Sequence, residues 1–194
     1  MKIGAIVLAG GKSSRMGQDK GLMNFRGKPM VQWVLESVSR LTKDVLIVAH
    51  DGRYREFGHN VVGDEIKEIG PIGGIVTGLH QSACEVNLVL GCDLPFVTAE
   101  LLEFMLENHR DVLVTCGFDG QHIHPLVGVY DRSALSGLTS CIHNGNHKLT
   151  GAVKQLPHRL LDLPNTMPGF RSEWLLNVNT PREWEEVNQT NMFT

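Results

Sequence analysis

Ile3-Gly4-Ala5-Ile6-Val7-Leu8-Ala9-Gly10-Gly11 is the stretch that decides the fold. Residues 3–8 form a continuous apolar run rich in β-branched side chains, the pattern of a strand buried on both faces in a parallel sheet. The run stops at Ala9 and two glycines, where backbone can turn sharply and approach a ligand closely. Comparable runs recur at residues 45–48, 86–90 and 112–115. Amphipathic segments lie between them. Residues 29–40 open with Pro29 in a first-turn position and put Met30, Val34, Leu35 and Val38 on one face. Residues 73–83 carry Ile75, Val76 and Leu79, and residues 98–108 start at Thr98 as N-cap and bury Leu101, Leu102, Met105 and Leu106. A last helix is expected over 180–187, with Thr180 as cap and Pro181 at the first position. Strands alternating with helices predict an α/β fold: one doubly wound, mostly parallel, Rossmann-like domain over 1–194. Residues 158–174, which include Pro164 and Pro168, are the least regular and read as a substrate-side loop or a short hairpin. Ligands of such sheets sit beyond the carboxyl ends of the strands. The site is therefore expected just after Leu8, Val48, Leu90 and Thr115.

Composition narrows the function classes. Over 194 residues, 18 Lys and Arg against 21 Asp and Glu leave a net charge of −3, unlike the cationic excess of a phosphate-backbone binder. Nucleic acid is not an expected partner. Nor is a membrane, since no segment approaches the roughly 20 apolar residues of a spanning helix. The apolar N-terminus leads into charged residues instead of a cleavage site, so it does not read as a signal peptide. The 4 cysteines lack any C-x-x-C pair and read as buried free thiols, as in a cytoplasmic protein.

The turn after the first strand runs from Ala9 to Lys20. Neither a Walker A loop, which would need glycine at Ile6, nor G-x-G-x-x-G fits it. What remains is a long, glycine-rich turn with Lys12, Arg15 and Lys20. Freed backbone N–H groups and those cations suit a nucleoside triphosphate, although composition alone leaves a solvated loop open. Further along, Asp93 follows the strand at 86–90. A carboxylate there can hold Mg²⁺ against phosphate oxygens, and a turn Asp before Pro95 is the alternative. In Asn177-Val178-Asn179 both amides point to one side if the segment is extended. His122-x-His124 lies on an expected strand, and His143 and His147 have helical i, i+4 spacing. For His122, His143 and His147 a surface role is the simpler reading.

These residues carry a resemblance. Residues 8–20, L-A-G-G-x-S-x-R-M-G-x-D-K, resemble the signature of nucleotidyltransferases with a GT-A-like fold of the nucleotide-diphospho-sugar transferase type. The nearest form is that of the molybdenum cofactor guanylyltransferase family. Gly70-Pro71-Ile72-Gly73-Gly74, Cys92-Asp93-Leu94-Pro95, His124-Pro125 and Asn177-Val178-Asn179-Thr180-Pro181 continue it in the family's order. The resemblance implies transfer of GMP from GTP to the phosphate of molybdopterin, or its molybdenum form, with release of pyrophosphate. It implies Mg²⁺ as cofactor, Arg15, Lys20 and Asp93 as catalytic residues, and Asp93 as the metal ligand. Leu8, Ala9, Gly10, Gly11, Lys20, Asp64 and Asp93 are implied to bind the nucleotide. His124, Lys148, Asn177 and Asn179 are implied on the acceptor side, so that the N-terminal half takes nucleotide and the C-terminal half takes acceptor. The Asn-x-Asn form and the double glycine are similar to the guanylyl branch more than the cytidylyl one. Transient contact with other cofactor-biosynthesis proteins is a further implication. A cytidylyltransferase, a sugar-phosphate nucleotidyltransferase and a non-catalytic nucleotide-binding module remain alternatives. Two departures stand out: Ala49-His50-Asp51 replaces a stretch where the family often has Asn, and Gly145-Asn146-His147-Lys148 replaces a more basic segment.

Overall fold

The computed structural model describes residues 2–9, 19–66 and 68–178. Strand β1 (Ile3–Leu8) alternates its side chains between two cores, Ala5 and Val7 facing one and Ile6 and Leu8 the other. A small hairpin, β2 (Asn24–Phe25) and β3 (Lys28–Pro29), leads into helix α1 (Met30–Ser39). Strand β4 (Val45–Val48) and strand β5 (Asn60–Val62) follow, then helix α2 (Pro71–Gln81), strand β6 (Val86–Gly91) and helix α3 (Ala99–Glu107). The second half contributes β7 (Val114–Phe118), β8 (Ile123–Asp131), α4 (Ala134–His143), α5 (Leu149–Val153), β9 (His158–Asp162) and the short α6 (Leu163–Thr166).

Among the described residues these strands make a seven-stranded sheet in the order β5-β4-β1-β6-β8-β7-β9. β1 pairs in parallel with both β4 and β6, and β4 in parallel with β5. β8 is antiparallel to β6 and β7, while β9 is parallel to β7. α1 and α3 cover one face through Val34, Leu35, Leu101 and Met105; α2, α4 and α5 cover the other through Ile75, Leu79, Leu138 and Ala152. The result is a single α/β domain, a mostly parallel sheet with helices on both faces.

Several expectations need correcting. Pro29 caps α1 with ψ 140 instead of opening it, because the ring's neighbours still belong to the β2–β3 hairpin. α2 begins two residues earlier than expected, at Pro71, behind Gly70 with φ 79. The strand expected at 112–115 runs instead over Val114–Phe118, so Thr115 lies near its start and the strand end of interest is three residues later. Residues 158–174 are no hairpin: they supply the edge strand β9, α6 and a 3₁₀ turn at Ser172–Leu175, and Leu163, Met167, Trp174 and Leu175 enter the core. His122 sits in the β7–β8 turn outside the strand, and His147 lies past the end of α4 and past Gly145 with φ 75. The helix expected at 180–187 lies outside the described residues. The four cysteines are free and buried, and burial pushes the Cys116 thiol up to about 12.

α2 seats against β1 at Gly78, where a Cβ would stand 2.5 Å from Ile6 Cγ2. Gly78→Val should lower unfolding free energy by about 2 kcal/mol, since overpacking outweighs the few tenths gained in helix propensity. Urea titration of the two proteins checks this.

Candidate active site

The carboxyl ends of β1, β4, β5 and β6 lie along one edge, and a cavity of about 790 Å³ opens there. Its wall takes Leu8 from β1, Val48, Ala49, His50 and Asp51 from the end of β4, Asp64 after β5, and Gly91, Cys92 and Asp93 from the end of β6. Asp19 and Lys20 enter from the side, and Gly70, Pro71 and Gly74 bring the N-terminal turn of α2. The strand order reverses at β1: the chain leaves toward β4 and β5, then returns through α2 to β6. Open α/β sheets bind ligands at such a reversal.

Each polar group has a local reason for its place. The ladder runs one residue past the strands, with Ala9 N donating to Val48 O at 2.9 Å and Cys92 N to Leu8 O at 3.0 Å. Asp93 therefore starts its turn from a fixed point. Its Oδ1 lies 2.5 Å from where a Cβ on Gly91 would be, so this glycine makes room for the carboxylate to fold back over the strand end. Val178 N donates to Asp93 O at 3.0 Å, tying Asn177-Val178 to the same turn. Asp64 Oδ1 accepts from Thr77 Oγ1 and from Ile66 N, each at 3.0 Å. Thr77 is fully buried, so its hydroxyl needs that partner, and it also accepts from Glu65 N. Asp51 holds Arg53 through its carboxylate, and that guanidinium keeps the Asp51 carboxyl below the usual range.

The other side of the edge is made by the β7–β8 hairpin, whose tip projects beyond β6. Register shifts between Cys116 and Gly117, so that Cys116 pairs with Gly128 but Gly117 with His124. The extra residues 125–127 bulge, and Leu126 joins the cavity wall. Asp119 Oδ2 accepts from His124 Nε2 at 2.8 Å, and Oδ1 accepts from the amides of Gln121 and His122. Burial works to raise the Asp119 pKa, but His124 and the two amides outweigh it and hold the carboxyl well below the usual carboxylate range.

Of the residues named from sequence, Leu8, Lys20, Asp64 and Asp93 line one cavity, and Ala9, next to Leu8 in the chain, is fully buried. His124 and the exposed Asn177 stand outside the lining. Lys148 is exposed at the N-cap of α5, also outside it. Gly10, Gly11, Arg15 and Asn179 lie outside the described residues.

Residues 5–160 match the MobA-like NTP transferase domain. The chain belongs to this family. A probable molybdenum cofactor guanylyltransferase of Flavobacterium johnsoniae is 30% identical over 183 residues, 94% of each chain. One of Pyrococcus horikoshii is 35% identical over 187 residues, 92% of this chain and 95% of its own. Among solved structures, molybdopterin-guanine dinucleotide biosynthesis protein A from Archaeoglobus fulgidus superposes with a TM-score of 0.78 at 24% identity, covering 95% of this chain and 96% of that one. The MobA-like chain is thus a nucleotidyltransferase, acting on a nucleoside triphosphate and a small acceptor. Among its described residues no helix is long and apolar enough to cross a membrane.

Sequence reading of this MobA-like chain missed several cavity residues: Asp19, His50, Asp51, Glu68 and Leu126. The signal for His50 and Asp51 was present, since they directly follow the strand at 45–48. Leu126 had none, because a bulge of this kind leaves no periodicity to read. Asp119 was missed as the partner of His124.

The depressed Asp119 pKa has a consequence for stability. A carboxyl whose folded pKa lies below its unfolded value stabilises fully above about pH 5, and that contribution drains away as pH falls through about 4 toward the folded pKa. Asp119→Asn should cost on the order of 1 kcal/mol at pH 7, with the deficit shrinking steadily below pH 4. Urea unfolding at a series of pH values measures it.

Proposed function

We propose that this protein transfers GMP from GTP to the terminal phosphate of molybdopterin, or of its molybdenum form, releasing pyrophosphate. The reading rests on one observation above all: Lys20 and Asp93 line the same cavity at the reversal of the sheet. The names carried by the relatives at 30% and 35% identity, molybdenum cofactor guanylyltransferases, support guanine as base and a form of the molybdenum cofactor as acceptor. On this reading the N-terminal half holds the nucleotide and the C-terminal half, with His124, Lys148, Asn177 and Asn179, meets the acceptor.

The chemistry asks little of acids and bases. A phosphate oxygen of the acceptor is already anionic, so it attacks the α-phosphorus in line without a strong general base and without a covalent intermediate. Rate then comes from positioning and charge neutralisation. Lys20 and Arg15 hold the transferring and leaving phosphates. Leu8, Ala9, Gly10, Gly11 and Asp64 hold the nucleoside and fix its approach. Asp93 offers a hard oxygen donor at the cavity wall, cradled by Gly91, which suits Mg²⁺ shared with phosphate oxygens and water. Bound there, Mg²⁺ would supply Lewis-acid neutralisation of the phosphate charge. His124, held through Nε2 by Asp119, keeps its other ring nitrogen for the acceptor.

Incubation with molybdopterin, Mg²⁺ and each nucleoside triphosphate in turn should give the guanine dinucleotide from GTP. Product from CTP, or from a sugar phosphate in place of molybdopterin, would replace this reading with one of its neighbours; no pyrophosphate from any pair would make the protein a binding module. Asp93→Ala should lower turnover about a hundredfold or more. Gly91→Ala, which removes no polar group but displaces the Asp93 carboxylate, should lower it about tenfold.

A further inference from the structure

Tyr54 lies within the 3₁₀ turn Gly52–Phe57 that follows β4, and its side chain is fully buried in the core beneath α1. A buried phenol needs a partner for its hydroxyl. Here the partner is not a nearby carbonyl but a carboxylate 35 residues away in sequence: Tyr54 Oη donates to Asp19 Oδ1 at 2.5 Å. The same Oδ1 accepts from Gly21 N at 3.1 Å and so caps the 3₁₀ turn Lys20–Leu22. Asp19 thus links the buried phenol to the turn that carries Lys20 into the cavity.

A second contact closes the arrangement. A Cβ on Gly21 would collide with Tyr54 Oη and would stand 3.1 Å from Cys92 Sγ. Gly21 is therefore wedged between the phenol and the residue just before Asp93. Burial pushes the Tyr54 phenol far above its ordinary pKa, and the hydrogen bond to Asp19 adds to the effect, so the hydroxyl keeps its proton and donates.

We infer that Tyr54 is a positioning residue for nucleotidyl transfer: through Asp19 it fixes the Lys20 turn against Cys92, and so sets where the Lys20 ammonium stands relative to Asp93. The inference rests on the reading of Lys20 as a phosphate-holding group. A phenol that served packing alone would be replaceable by a phenyl ring, which fills nearly the same space.

A double-mutant cycle tests this with GTP and molybdopterin as substrates. Tyr54→Phe should keep the far-ultraviolet spectrum and a melting temperature within a few degrees of the parent, yet lower kcat/KM for GTP about tenfold, a 1.4 kcal/mol effect. In a Lys20→Ala background the same substitution should change the rate less than about twofold, because the ammonium it places is gone. Asp19→Ala should match Tyr54→Phe, with the two together no worse than either. Equal losses from Tyr54→Phe in both backgrounds, or an undiminished rate for Tyr54→Phe alone, overturn the inference and leave the reading of Lys20 intact. A Lys20→Ala enzyme at the parental rate overturns that reading and the inference with it.

Discussion

Parallel pairing of β1 with β4 on one side and β6 on the other is the constraint on which the rest depends. Leu8 stands opposite Val48 and opposite Gly91, so three strand ends are level at one edge. The chain leaves β1 in one direction and comes back to β6 from the other, which parts the loops above those ends and leaves a crevice. Side chains just beyond the strands need no special device to meet there; the hydrogen-bond ladder carries them. Two backbone bonds, Ala9 to Val48 and Cys92 to Leu8, extend that ladder far enough to fix where each loop starts.

Electrostatics at the site follow from how its carboxylates are engaged. Asp19 is tied to Tyr54, Asp51 to Arg53 and Asp64 to Thr77, while Asp93 lies over Gly91. Hydrogen-bond donors anchor Asp19, Asp51 and Asp64, so the negative charge of this wall is structural as much as functional. A polyanionic substrate entering such a wall requires counter-charge from within the pocket, and on the proposed reading Lys20 supplies part of it. On that reading a few cations within one pocket let a chain of net charge −3 handle a triphosphate.

Legibility in the sequence divided along physical lines. Ile3–Leu8 and Val45–Val48 were readable to the residue, since strands buried on both faces show as unbroken apolar runs. The capping role of Thr98 was readable too, and its Oγ1 does accept from Leu101 N at 3.2 Å. β8 was readable only at its start, where a strand was expected around His124; Pro125 and Gly128 interrupt the rest, which runs antiparallel through a bulge that only its neighbours define. β9 was obscured for a related reason, as an edge strand whose inner face alone needs to be apolar. Within the site, Asp93 was accessible as a residue just past an apolar strand, whereas Asp64 came only through the family resemblance. Partnerships across the chain were not, because nothing local in Asp19 announces Tyr54, and nothing in His124 announces Asp119.

The central claim is that the triphosphate lies over the ends of β1 and β6, between Lys20 and Asp93. A crystal structure with Mg²⁺ and a GTP analogue that resists transfer tests it directly. The account predicts the α-phosphate within hydrogen-bonding reach of Lys20 Nζ, Asp93 sharing the metal with phosphate oxygens, and the base toward Asp64. A triphosphate seated at the opposite edge of the sheet, or a metal bound with Asp93 uninvolved, would contradict it.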